Sequence, residues 1–143
     1  TIGTLDGANV EMCERIGAEN MFIFGLSAQQ VEARKQNHEF SAAPDIAESH
    51  RLNDVLQAIR SGVFSPDDTS RYTGLIDSLV DYDRFLVCAD FDSYWEAQKR
   101  VEAHWHDADN WWRSAVLNTS RMGWFSSDRT IREYATDIWK ALE

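Results

Sequence analysis

Lysine is scarce in this chain: Lys35, Lys99 and Lys140 are all it has in 143 residues. Basic side chains of both kinds number 14 against 24 acidic ones, for a net charge of −10. A nucleic-acid partner needs a basic footprint, so this balance excludes one. It also excludes adsorption on an anionic membrane surface. Cysteine is down to Cys13 and Cys88. They are isolated and lack C-x-x-C spacing, and Cys88 lies in an apolar run where a thiol behaves as a small hydrophobe. Both read as reduced thiols of a cytoplasmic protein. No apolar run reaches the length of a membrane span, and the first residues carry no signal-peptide pattern. Internal repeats, low-complexity segments, a G-x-S-x-G elbow and a Cys–His pair are missing as well. What is present is a 43% hydrophobic composition, enough for a packed core rather than disorder. The length suits one domain or part of one.

The chain is organised around residues 1–25, T-I-G-T-L-D-G-A-N-V-E-M-C-E-R-I-G-A-E-N-M-F-I-F-G. Thr1 to Leu5 reads as a short strand, and Asp6-Gly7 as a turn. Ala8 to Ile16 reads as a helix ended by Gly17. Met21 to Phe24 is an unbroken apolar run, the pattern of a strand covered on both faces in a parallel sheet. Ser27 is placed to cap a helix over Ala28 to Gln36, and the segment from Asn37 to Asp45, with Pro44, reads as a loop. Leu52, Val55, Leu56 and Ile59 make one helical stripe, ended by Gly62. Ser65 to Asp68 is a turn, and Tyr72, Leu75, Ile76, Leu79 and Val80 form the next stripe. Phe85 to Ala89 is predicted as a buried strand, with Asp90 or Asp92 capping a helix from Ser93 to Trp105 on an inner face of Tyr94, Ala97, Val101 and Trp105. Asp107 or Asp109 opens a helix carrying Trp112, Val116 and Thr119. Ser126-Ser127-Asp128 caps the last one, striped by Ile131, Tyr134, Ala135, Ile138 and Trp139. Leu142-Glu143 follows that stripe. The predicted order is β-α-β-α-α-α-β-α-α-α: an α/β fold with few parallel strands and a large helical C-terminal layer over residues 93–143. Three strands buried on both faces want more neighbours than the chain supplies, which points to a piece of a larger sheet.

Little of this carries chemistry. A strand-to-helix turn with glycines can cradle a phosphate, but G-T-L-D-G-A lacks the G-x-G-x-x-G spacing and Asp6 would repel an anion. His104-x-His106, near Asp107 and Asp109, has ligand-type residues, yet i and i+2 on a helix point to different sides. Asp81-x-Asp83 and Asp90-x-Asp92 resemble acid–base pairs, but sequence neighbours at helix starts are caps before they are catalysts. Six tryptophans could stack on sugars. Trp105, Trp112 and Trp139 fall on apolar stripes and read as core. Trp95, Trp111 and Trp124 read as surface, covering a neighbouring domain rather than a glucan. On these grounds no residue is assigned as catalytic and none as a metal ligand.

The stretch G-T-L-D-G-A-N-V-E-M followed by E-N-M-F-I-F-G closely resembles the α-glucan (glycogen, starch, maltodextrin) phosphorylases. Gly62-Val63-Phe64-Ser65-Pro66, Asp83-Arg84-Phe85, Ala89-Asp90-Phe91 and the run from Phe125 to Trp139, F-S-S-D-R-T-I-R-E-Y-A-T-D-I-W, match the same family in order. Met122-Gly123-Trp124 departs from it, standing where the family more often has Ser-Gly and a basic residue.

The resemblance implies a parent several times longer, with two Rossmann-like domains of a glycosyltransferase fold. This chain would be the C-terminal portion of the second, cofactor-side domain. It implies transfer of the terminal glucose of an α-1,4-glucan to inorganic phosphate, as in glycogen catabolism, with pyridoxal phosphate on a lysine in a segment E-A-S-G-T-x-N-M-K ahead of Thr1. None of the three lysines here lies in such a segment, so no cofactor is expected on this chain and no activity from it alone. Gly3, Thr4, Asp6, Gly7, Ala8 and Asn9 would fix the turn and helix that back the cofactor segment. Ser126 to Trp139 would lock the last helix onto the domain. The expected partners are the glucan, phosphate and the rest of the phosphorylase chain, with exposed apolar faces free to self-associate. Two other readings stand beside this one: a non-catalytic helical interaction or maltooligosaccharide-binding module, and a glycosyltransferase using a nucleotide sugar on a related fold.

Overall fold

The computed structural model describes residues 1–141; Leu142-Glu143 lies outside them. The chain opens with strand β1 (Ile2–Thr4), helix α1 (Gly7–Ile16), a 3-10 turn (Ala18–Asn20) and strand β2 (Phe22–Phe24). The two strands pair in parallel, with Ile2, Gly3 and Thr4 opposite Phe22, Ile23 and Phe24. Helices follow: α2 (Ala28–Gln36), α3 (Ala43–Glu48), α4 (His50–Arg60), α5 (Thr73–Asp81), α6 (Val87–Trp105), α7 (Ala108–Arg121) and, after a 3-10 turn at Met122–Phe125, α8 (Ser127–Glu133). A π-type turn, Tyr134–Ile138, extends α8. The predicted β-α-β unit is therefore present, and the described residues after it are mostly helical. The sheet of the described residues has two strands.

Local chemistry accounts for most element ends. Ser27 and Gln30 form a reciprocal capping box at α2, the Ser27 hydroxyl accepting the Gln30 N–H at 3.3 Å and the Gln30 Oε1 accepting the Ser27 N–H at 2.8 Å. Ser49, buried, caps α4 by accepting the Leu52 N–H at 3.1 Å. The segment read as a loop from Asn37 to Asp45 ends in the first turn of α3. Pro44 falls in its first turn, where a missing N–H costs nothing. A two-pronged Arg34–Asp45 pair, 2.8 and 2.9 Å, ties α2 to α3.

The predicted strand at Phe85–Ala89 is not formed. Helix α6 begins at Val87, inside that run. Buried Asp83 accepts both the Val87 N–H at 2.9 Å and the Cys88 N–H at 2.7 Å, so two of the orphan donors of a helix start find their partner there. Leu86 takes a left-handed φ of 55° to make the corner. The strand expectation rested on apolar content, and the burial does alternate: Leu86 and Cys88 are inside while Phe85 and Val87 are exposed. A strand also needs a pairing partner, and a buried carboxylate at this spot offers the helix instead. Asp90 and Asp92 are accordingly not the caps. Asp90 accepts the Leu26 N–H at 2.8 Å, and Asp92 pairs with Arg51 at 2.9 Å on the surface.

The core lies among α3, α4, α5 and α6: Ala42, Leu52, Leu56, Ile76 and Cys88, with Ile46, Ile59, Leu79, Val80 and Phe91 against them. Burial of Cys88 pushes its thiol pKa up to about 12, with the Asp83 carboxylate adding to the shift, so the thiol is inert. Helix α6 also covers the sheet. Its Ser93 hydroxyl accepts the Gly25 N–H at 2.8 Å, and Arg100 donates to the Ile23 carbonyl at 2.7 Å.

This core does not close the surface. The accessible area is 10,062 Å², about one-third more than the roughly 7,500 Å² that area–mass scaling gives a folded monomer of this mass. The tryptophans show where. Trp105, Trp112 and Trp139, read as core, are 60%, 67% and 58% exposed, whereas Trp111, read as surface, is half-buried. Helical periodicity identified the apolar side of each helix; it could not say whether anything lies against that side.

Candidate functional site at the carboxyl edge of the strand pair

In open α/β sheets ligands gather at the carboxyl ends of the strands. Here that edge is formed by Thr4 and Phe24, the last residues of β1 and β2. The six residues singled out from the sequence, Gly3, Thr4, Asp6, Gly7, Ala8 and Asn9, build it. Asn9 folds back from the first turn of α1, and its side-chain amide donates to the Thr4 carbonyl at 2.9 Å. A Cβ on Gly3 would come within 2.7 Å of that amide nitrogen, so Gly3 makes the room. Thr4 donates its hydroxyl to Asp6 Oδ1 at 3.1 Å. Asp6 therefore braces the turn and makes no side-chain cap bond to α1. Gly7 turns the corner at φ 45°, and exposed Ala8 continues the helix.

Two open recesses meet at this edge and share Thr4, Phe85 and Asp90. The larger, about 420 Å³, is apolar, with Phe24, Val87, Phe91 and Tyr94 in its wall. The smaller, about 210 Å³, sets Lys35 and Arg84 against Asp6 and Asp90. Asp90 lies between them. Desolvation raises its pKa, and the Leu26 N–H works against that shift. Sequence reasoning missed Asp90, Phe85 and Lys35 at this place. Only the packing of α2, α6 and the loop before α6 around the strand ends brings them there.

The arrangement suits positioning rather than chemistry. Thr4 and Asp6 are engaged with each other, the carboxylate accepting the hydroxyl at 3.1 Å. The two cations of the smaller recess face two carboxylates, so it offers no net positive cradle for a phosphate-bearing cofactor. Lys99 is paired with Glu96 at 3.0 Å on the outer side of α6. The described residues do not by themselves fit pyridoxal phosphate. Among them, too, no three His, Cys, Asp or Glu side chains converge as metal ligands.

The remaining candidates have local roles. His104 Nε2 lies 3.2 Å from the Ser114 hydroxyl, its ring between Phe22 and Trp111. Ser114 in turn donates to Asn20 Oδ1 at 3.1 Å, and Asn118 donates to the Asn20 carbonyl at 3.1 Å. This chain of bonds fastens the α6–α7 pair to the 3-10 turn that follows α1. His106 follows α6 as its C-terminal flanking residue. Asp107 caps α7 through the Asn110 N–H at 3.3 Å, and the Asn110 side chain, 2.6 Å away, is the main cause of its lowered pKa. No described helix is long and apolar enough to cross a membrane.

A family model described as carbohydrate phosphorylase matches residues 1–141. The glycogen phosphorylase of Synechocystis sp. is 48% identical over 139 residues, covering 97% of this chain and 16% of the relative. That of Haemophilus influenzae is 44% identical over 140 residues, 98% of this chain and 17% of its own. The brain form of Homo sapiens is 41% identical over 139 residues, again 97% and 16%. The chain thus spans about one-sixth of the length of these curated relatives.

Proposed function

Because the chain belongs to the carbohydrate phosphorylase family, we propose that it is the C-terminal portion of an α-1,4-glucan phosphorylase, and that it supports the active site without supplying a reacting group. The observation that carries this is the match itself: nearly all of the chain aligns with about one-sixth of each relative. The surplus of exposed apolar surface supports it, since a domain severed from its neighbours leaves such faces bare. In the parent, residues 1–143 belong to the cofactor-side, Rossmann-like domain. The strand pair joins a larger parallel sheet, and the helices from residue 93 onward form its C-terminal layer.

The parent activity is phosphorolysis: terminal glucose leaves the glucan on inorganic phosphate as glucose 1-phosphate. Pyridoxal phosphate, which the family resemblance places on a lysine outside these residues, would supply proton-transfer chemistry through its phosphate group. This chain's part is the braced edge. Asn9 seals the Thr4 carbonyl, Gly3 admits Asn9, and Asp6 holds Thr4, so the floor behind the cofactor segment stays rigid. The isolated chain neither binds the cofactor nor turns over glucan, and its bare faces drive it to self-associate.

Glucose 1-phosphate release from maltodextrin and phosphate is the test. The longer polypeptide carrying these residues is expected to be active and to show the absorbance of a bound cofactor. The 143-residue chain is expected to show neither. Turnover by the short chain, or a longer polypeptide that hydrolyses or fails to phosphorolyse glucan, overturns the proposal.

A further inference from the structure

Trp124, where the sequence departs from the family pattern, lies in the 3-10 turn between α7 and α8. The Arg15 guanidinium, from the last turn of α1, stands with its Cζ 3.4 Å from the centroid of the indole. The Arg129 guanidinium, from α8, stands 3.5 Å from the same centroid. Two planar groups this close to one centroid cannot share a face, so the ring is held between a cation from α1 and a cation from α8. Arg129 is bound three ways. It stacks on the ring, donates Nε to the Trp124 carbonyl at 2.7 Å, and pairs with Glu133 at 2.7 Å. Arg15 makes no ion pair among the described residues, so the ring and the carbonyl end of α1 are what hold it. From the same corner, Arg121 donates to the Ile16 carbonyl at 2.9 Å.

Beyond this corner α8 has little lateral support. It packs closely on the turns before and after it, while Ile131, Tyr134, Ile138 and Trp139 are exposed. Gly123, beside the tryptophan, has open space where a Cβ would be. A helix held only at its root points wherever the root contacts aim it.

We infer that Trp124 is a positioning residue: clamped between Arg15 and Arg129, it sets the direction in which α8 leaves the body of the protein. Among the described residues the Ser126 to Trp139 segment then forms an arm whose aim is set by a ring outside that segment. This inference concerns contacts within the chain and stands apart from the phosphorylase reading.

Distance measurement between two spin labels tests it. Glu11→Cys on α1 and Asp137→Cys on the arm, both exposed, are labelled in a Cys13→Ser background; Cys88 is buried and unreactive. The full 143-residue chain is used, with far-UV circular dichroism as the folding check. The reference, diluted into unlabelled chain so that only distances within one molecule are read, is expected to give one narrow distance distribution. Trp124→Ala should at least double its width, and Trp124→Phe, which keeps a ring face for both cations, should restore most of it. Arg15→Gln should broaden it with the ring still present, which covers the case of a Trp124→Ala chain that fails to fold. Trp112→Ala, an exposed tryptophan away from the clamp, should change nothing. An unchanged distribution in Arg15→Gln or in a folded Trp124→Ala, or a reference already as broad as the variants, overturns the inference.

Discussion

Replacing Asp83 should remove a large share of the chain's stability, whereas replacing Asp92, a few residues along, should hardly matter. Asp83 is 3% exposed and accepts the N–H groups of Val87 and Cys88 at 2.9 and 2.7 Å. Losing a helix cap costs about 0.5–2 kcal/mol. Here alanine also leaves two donors without acceptors at the start of a long helix, one of them, on Cys88, in the core. Each such orphan costs about 1–3 kcal/mol where water cannot reach it. Because the cap and the orphan donors are partly the same interaction, the combined loss is about 3 kcal/mol rather than the sum. A domain holds about 5–15 kcal/mol in all, and a core as small as this one belongs at the low end. Asp83→Asn keeps one carboxamide oxygen as acceptor and should lose about half as much. Asp92→Ala breaks only the exposed pair with Arg51 and should cost no more than about 0.5 kcal/mol. Urea unfolding followed at 222 nm gives all three numbers. Equal, small losses in Asp83→Ala and Asp92→Ala would refute the assignment of the cap and return the helix start to Asp90–Asp92, where the sequence placed it.

Four further outcomes are expected. Burial raises the Asp90 pKa in the folded chain, so this group's contribution to stability is full at acid pH and is lost as pH rises through the folded value. Asp90→Asn, which keeps an oxygen for the Leu26 N–H, should be at least as stable as the parent chain at pH 7, and the gap should close on acidification; a gap that widens in acid contradicts the sign. Gly25→Ala places a Cβ 2.7 Å from Asp90 Oδ2 at φ 82°, and urea midpoints should report a loss of about 1–3 kcal/mol. Ile76→Ala, in a site 1% exposed, should cost about 2–5 kcal/mol, while Phe85→Ser, at a site 80% exposed, should stay within about 0.5 kcal/mol in the same assay. Maltoheptaose should leave the tryptophan fluorescence of the isolated chain unchanged; a saturable response would favour a sugar-binding module instead.

Much of the local architecture was legible in the residues. The Ser27 cap, the stripe containing Leu52 and Leu56, the glycine-bearing turn after β1 and the helix cap at Asp107 all depend on neighbours within one or two turns, and so does the family resemblance carried by short motifs; Ser126 stands at the start of α8 but makes no side-chain cap bond. The candidate site was half legible. Thr4, Asp6 and Asn9 contact one another across a few residues, but Lys35, Phe85 and Asp90 reach the same edge only when α2 and α6 pack at the strand ends. The misreadings share one cause. Phe85–Ala89 was given a strand because apolar content does not reveal whether a pairing partner or a buried carboxylate awaits the backbone. Trp105, Trp112 and Trp139 were placed inside because a stripe shows which side of a helix is apolar, not what covers it. By itself, then, the sequence determined short-range hydrogen bonding, helix periodicity and family. Tertiary structure decided which donors met Asp83, which faces stayed bare and that Trp124 lies between two arginines, because each depends on groups distant in the chain arriving at the same few ångströms.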